Sequence, residues 1–186
     1  AYSSIAQIGY MTLGLSMNSH YGLTGGLVHL FNHALMKGGL FLVVACVVFR
    51  LSTSKVEDFR GLGHRMPLTM AAFVIGGLSL IGVPGTVGFV SKWYLVVGAL
   101  QKGWLLVAVL ILLSSLLAVV YIWRVVELAY LQKPADGEAS CEAPLSMLIP
   151  TWILIWGTVY FGLDTTLTAQ IAETAAAQMM GLGGLQ

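Results

Sequence analysis

Charge is what this sequence has least of: 9% of its 186 residues are charged, against roughly 25% in an ordinary globular domain. Net charge is +1, so nothing here supplies the electrostatic footprint of a nucleic-acid partner. Cysteine is nearly absent too. Cys46 lies in an apolar run and Cys141 in a polar loop, and the pair forms neither a metal-ligand spacing nor an evident disulfide. No phosphate loop, nucleophile triad, metal cluster or cofactor motif appears, so no catalytic residue, metal or cofactor is assigned and no redox chemistry is expected within this chain. The opening, Ala1-Tyr2-Ser3-Ser4-Ile5-Ala6-Gln7, has no basic n-region or cleavage site and does not read as a signal peptide. Starting inside a helix-like run, it reads as a piece of a longer or split polypeptide.

What the chain has in excess is apolar sequence, with 58% of residues hydrophobic. The few charges cluster between apolar runs, several of them near the ~20 residues that cross ~30 Å of hydrocarbon. This predicts an all-α polytopic transmembrane helix bundle, an integral multi-pass protein whose first partner is the lipid bilayer. Six segments are expected, at about 2–17, 23–49, 67–81, 87–100, 104–131 and 145–162. The first is short for a full span. Residues 1–162 form the bundle in this reading, and the Ala/Thr-rich tail, 163–186, becomes a surface or frayed helix. If all six segments cross, Arg50, Lys55, Arg60, Arg65 and Lys102 share one face, which the positive-inside rule makes cytoplasmic. Between the third and fourth segments, Pro84, Gly85 and Gly88 interrupt apolar sequence at membrane depth, so a helix should break there. Broken backbone in a bilayer is tolerated where protein buries it or where it lines a cavity, and transporters build sites at such breaks.

Within the second segment stand His29, His33 and Lys37. On a helix, residues four apart lie one above the other, so the three form a stripe within an arc of about 80° and roughly 12 Å long. Histidine titrates near pH 6.5, and burial disfavours the charged form of a lysine, so such groups can pass protons along bridging water. Lys92, two turns past Pro84, joins them as a candidate. The bland alternatives are hydrogen bonds between helices for the histidines, a structural acid partner for Lys37 and a snorkelling position for Lys92. Ser3, Ser4 and Gln7 read as hydrogen-bonding groups, and Gly9, Gly38 and Gly39 as small residues of helix packing. Arg124 and Glu127, three apart, read as an interhelical or surface ion pair. His20 and His64 read as loop residues.

Three stretches carry a resemblance: Ala1-Tyr-Ser-Ser-Ile-Ala-Gln-Ile-Gly-Tyr10, His29-Leu-Phe-Asn-His33-Ala-Leu-Met-Lys37, and Gly82-Val-Pro84-Gly-Thr-Val-Gly-Phe-Val-Ser-Lys92-Trp-Tyr-Leu95. In order and spacing they resemble the second half of the proton-conducting antiporter-like membrane subunits. That family comprises the large subunits of multisubunit Mrp-type cation/proton antiporters and their relatives in complex I and membrane-bound hydrogenases. Ser91-Lys92-Trp93-Tyr94 and the Asn32-His33-Ala34 core look most similar to the D-type large subunit of the Mrp antiporters, with a complex I subunit as the alternative. The resemblance implies inverted five-helix repeats, each with a discontinuous helix, and a lysine, histidine and glutamate axis at mid-membrane. It implies relay roles for His29, His33 and Lys37 and a terminal role for Lys92. It also implies a prokaryotic plasma membrane location, other membrane subunits as partners, and protons, with or without sodium, as cargo. Against this stands a structural subunit whose polar residues only fasten helices.

Overall fold

The computed structural model describes residues 2–132 and 142–181, so Ala1, the loop around Cys141 and the last five residues lie outside the described residues. It is all-α. The helices are α1 (Tyr2–Ser16), α2 (His20–Leu51), the single turn α3 (Leu62–Arg65), α4 (Pro67–Ile81), α5 (Val87–Gln101), α6 (Leu105–Val126), α7 (Leu145–Leu163) and α8 (Thr166–Met179), and no strand occurs among the described residues.

The central rod is α2. Its 32 residues measure ~48 Å at 1.5 Å per residue, more than the ~30 Å hydrocarbon layer. It begins three residues earlier than its apolar pattern alone suggests, because Ser19 caps it by accepting a hydrogen bond from the Gly22 amide at 3.2 Å. Ser52, in the left-handed region at φ 54°, ends it.

Around this rod, α4 and α5 lie end to end and antiparallel to it. Leu40 of α2 meets Gly76 of α4, and Met36 meets Gly88 at the start of α5. Farther along, His29 meets Ser91, Gly25 meets Leu95 and Gly22 meets Gly98. The third and fourth apolar segments are therefore two halves of one interrupted run. That corrects the placement of Lys102. It sits at the end of the bundle where α2 begins, opposite Arg50 and Arg65, because the break at Gly82–Thr86 does not reverse the chain.

The break follows from glycine. Gly82 and Gly85 adopt φ 93° and 87°, where a side chain would be strained, and the amides of Gly82 and Val83 both return to the Leu78 carbonyl. Where α5 restarts, Gly88 lies so near the Ser79 carbonyl that an added Cβ would fall 1.8 Å from that oxygen.

The outer wall is α6. Leu105, Leu106, Leu112, Leu116, Leu117 and Val120 are all exposed on it, a surface that suits lipid and not water. It continues as a π-helical turn over Glu127–Leu131, where the Leu128 carbonyl accepts from Gly61 and Tyr130 packs on Gly63. Three helices, His20–Leu51, Leu105–Leu131 and Leu145–Leu163, are long and apolar enough to cross a membrane; α4 is a shorter apolar helix. α7 runs antiparallel to α2, from Thr151 beside Cys46 to Phe161 against Phe31. It stops level with the α4/α5 break, since Gly162 abuts Thr86. There Asp164 takes the amide and hydroxyl of Thr166, and α8 sets Ala169, Ala172 and Ala176 inward in a helix packed along α2.

One long-range contact starts α4. Met66 offers no side-chain cap, and the carboxylate of Glu142 instead receives the Leu68 amide at 2.8 Å and the Thr69 hydroxyl. A negative group at a helix N-terminus opposes the positive end of the helix dipole.

Candidate functional site

Midway along α2, a row of polar side chains crosses the apolar interior. His29 is fully buried. Its Nδ1 lies 2.7 Å from the Ser91 hydroxyl of α5, and its Nε2 has no protein partner among the described residues. One turn on, His33 stacks with it, the ring centroids 6.3 Å apart and the planes 22° from parallel. The buried Nε2 of His33 likewise lacks a protein partner. Between them Asn32 donates to the Val87 carbonyl at 2.7 Å, which ties α2 to the first turn of α5. The oxygens of Gln7, Thr24, Asn32 and Ser79 are also buried without a protein partner. An unpaired buried polar atom costs on the order of 1–3 kcal/mol, and groups of them are where proteins hold internal water.

Lys92 is 7% exposed. Its ammonium donates to the carbonyls of Leu80 at 3.0 Å and Ile81 at 2.7 Å. These belong to the last turn of α4, whose carbonyls have no helical partners and form the negative end of the helix dipole. The cation's hydrogen bonds thus go to backbone carbonyls, with no carboxylate at ion-pair distance among the described residues. Gly82 is needed here twice, since a Cβ on it would come 3.1 Å from Lys92 Cδ and 3.3 Å from Nζ.

Both Lys92 and His29 lie against Tyr10 of α1. Lys92 Nζ lies 5.5 Å from its ring centroid, and the His29 ring meets it edge-on with centroids 5.3 Å apart. Its hydroxyl bonds to that of Ser114 on α6. Lys37 closes the other end of the row. It is 8% exposed, donates to Ser3 of α1 and lies 5.8 Å from the Phe41 ring.

The structure therefore brings His29 and Lys92 against Tyr10, stacks His33 on His29, and engages Lys37 at the far end with Ser3. Pro84 and Gly85 lie in the break, and Gly88 in the first turn of α5. Arg124 Nη1 and Glu127 Oε2 are 3.3 Å apart on one helix face, with their side chains 63% and 38% exposed and away from the row. No cluster of three metal-ligating side chains occurs among the described residues. Sequence reasoning passes over Tyr10, Ser91 and Asn32 as functional residues. Ser91, adjacent to Lys92, is the one within its reach.

Comparison with known proteins agrees with this architecture. Residues 1–118 match the family model described as NADH:quinone oxidoreductase/Mrp antiporter, transmembrane. The chain is 46% identical over 177 residues to NADH-quinone oxidoreductase subunit N of Desulforudis audaxviator, an alignment covering 88% of this chain and 35% of that protein. It thus spans about a third of that relative's length. Among solved structures, a chain of the membrane-bound sulfane sulfur reductase, an archaeal respiratory membrane complex, superposes with a TM-score of 0.79 at 34% identity, over 87% of this chain and 27% of the other. A chain of the Mrp complex from a Dietzia species superposes at 0.88 with 24% identity, over 98% and 43%. The chain belongs to the NADH:quinone oxidoreductase/Mrp antiporter family of antiporter-like membrane subunits.

Proposed function

We propose that this chain is the proton-conducting second half of an antiporter-like subunit in a larger membrane assembly, and that protons move along Lys92, His29, His33 and Lys37. The observation that carries the proposal is His29. It is fully buried, hydrogen-bonded through one nitrogen to the residue beside Lys92, unsatisfied by protein at the other, and stacked on a second histidine with the same unsatisfied nitrogen. Buried polar atoms find a partner in protein or water, so two neighbouring ring nitrogens without a protein partner suit internal water that can carry a proton between them.

The chemistry follows from donor and acceptor counts. Charged Lys92 has three N–H donors, two of them on the Leu80 and Ile81 carbonyls. Giving up a proton removes a donor and the attraction to the helix end, which frees the side chain to reload. A neutral imidazole accepts at one nitrogen and donates at the other, so His29 and His33 can pass a proton through without net charge between transfers. Like charges in this low-dielectric interior repel strongly, so loading one site promotes release from the next, and a remote charge can drive the row.

Within the family we place the chain with subunit N of NADH-quinone oxidoreductases, a proton-pumping role coupled to redox chemistry elsewhere. The likeness of Ser91–Tyr94 to the D-type Mrp protein is weighed against 46% identity to a subunit N, while the Mrp structure, at 24%, speaks to fold alone. Other membrane subunits are then its partners, and a sodium role is not needed.

The test is proton movement by the intact assembly in sealed vesicles, with His33→Ala and Lys92→Ala compared to wild type at equal assembly levels. Loss of transport with assembly intact supports the row. Unchanged transport in both variants leaves the structural reading, in which the polar groups only hold helices together.

A further inference from the structure

Tyr10, which touches both Lys92 and His29, is not a member of the proposed row. Tyr10 is 6% exposed and comes from α1, a different helix from either partner. It offers three kinds of contact at once. Its ring lies within cation–π distance of the Lys92 ammonium at 5.5 Å, the His29 ring packs against it edge-on at 71°, and its hydroxyl is held by Ser114 of α6. The Ile111 carbonyl, one turn from Ser114 on α6, lies 3.4 Å from the same hydroxyl. The ring is therefore held at its far end by α6 while its body lies against both Lys92 and His29.

We propose that Tyr10 is a positioning residue for proton transfer: its ring holds the charged ammonium of Lys92 beside His29, and Ser114 fixes the ring. The inference rests on the proton-row reading above. Two of the three Lys92 donors are committed to the Leu80 and Ile81 carbonyls, and no carboxylate at ion-pair distance balances the cation among the described residues. The negative face of an aromatic ring is the remaining attraction for it, and such contacts strengthen when desolvated. When Lys92 is neutral this attraction disappears, and the carbonyl contacts weaken with it. The ring thus favours the loaded lysine in the place from which His29 can be reached. A leucine, with half the side-chain heavy atoms and no π face, loses packing and charge preference together, whereas a fluorinated ring keeps the packing and weakens only the preference for the charged state.

That difference separates a positioning role from a packing role. The experiment is proton transport by the intact assembly in sealed vesicles, with position 10 carrying Phe, Leu, or phenylalanine fluorinated at one, two or three ring positions, and Lys92→Ala measured alongside. Fluorine withdraws electron density from the ring face with little change in shape. Tyr10→Phe should stay within about threefold of wild type. The fluorinated series should fall stepwise from that level, and Tyr10→Leu should lose about tenfold, the equivalent of ~1.4 kcal/mol. Equal rates across the fluorinated series overturn the proposal while leaving the row intact, provided Lys92→Ala abolishes transport. If Lys92→Ala transports normally, the row and the proposal fall together. Should Tyr10→Leu fail to assemble, the fluorinated series, which preserves the packing, decides alone.

Discussion

Gly88 is where backbone packing and the candidate chemistry meet most tightly. An ideal Cβ on Gly88 would lie 1.8 Å from the Ser79 carbonyl oxygen, whereas real Cβ atoms essentially never come within 3.0 Å of another atom. Gly88→Ala must therefore drive the end of α4 and the start of α5 apart by at least ~1.2 Å, because the obstacle is backbone and cannot rotate away. Overpacking of this kind costs about 1–3 kcal/mol, and a rigid backbone obstacle puts it at the upper end. The same displacement acts on Lys92, one turn along α5, whose bonds to Leu80 and Ile81 now measure 3.0 and 2.7 Å. Adding ~1.2 Å takes both beyond the ~3.2 Å limit of a useful hydrogen bond. Misplacement on the ~1 Å scale can cost on the order of a hundredfold in rate. We expect Gly88→Ala to lower the melting temperature of the purified assembly and to cut proton transport at least tenfold even at equal assembly. Gly9→Ala is the control, since a Cβ there meets nothing within 4 Å and alanine favours a helix by up to about 1 kcal/mol. A Gly88→Ala protein that melts and transports like wild type would refute the reasoning.

Other expectations follow from single contacts. Ser91→Ala strands the Nδ1 of buried His29 and should cost about 1–3 kcal/mol in denaturant melts, together with slower transport. Glu142→Ala removes the group that receives the Leu68 amide and the Thr69 hydroxyl and should destabilise by about 1 kcal/mol, as loss of a helix cap does, with faster hydrogen exchange in the first turn of α4. Arg124→Ala breaks an exposed ion pair and should shift stability by less than about 1 kcal/mol with unchanged transport. The hydroxyl and then the amide of Thr166 hold the Asp164 carboxyl below its ordinary range. A lowered carboxyl pKa supports the folded form above the unfolded value and ceases to as pH falls through the folded one, so the first turn of α8 should gain hydrogen exchange on acidification, and Asp164→Ala should show that gain already at neutral pH.

The helices are legible because their causes are local. Apolar length locates α2, α6 and α7, and the i, i+4 spacing of His29 and His33 anticipates rings on successive turns of one face. The interruption at Pro84 and Gly85 follows from the backbone preferences of those two residue types. What the sequence hides is pairing across distance. His29 and Ser91 are 62 positions apart, Asn32 and Val87 55, and Tyr10 and Ser114 104. Periodicity reports which face of a helix is buried, and it is silent on which helix covers that face. Hence Tyr10 reads as one more aromatic in an apolar run, and α4 and α5 read as two crossings although they lie end to end. Lys37 shows the same limit. Its spacing puts it on the histidine stripe, and its long side chain reaches Ser3 on α1. The capping of α4 by Glu142 has no local signal, because the acid lies 74 positions beyond Leu68.

The central claim is that Lys92 exchanges a proton and is not merely a cation that fastens α5 to α4. Lys92→Arg tests it most directly, because arginine keeps the charge and can donate to carbonyls, yet does not give up its proton in a protein. Proton transport by the intact assembly in vesicles should be abolished in Lys92→Arg while assembly and melting temperature stay near wild type. Transport at the wild-type rate in that variant would contradict the account.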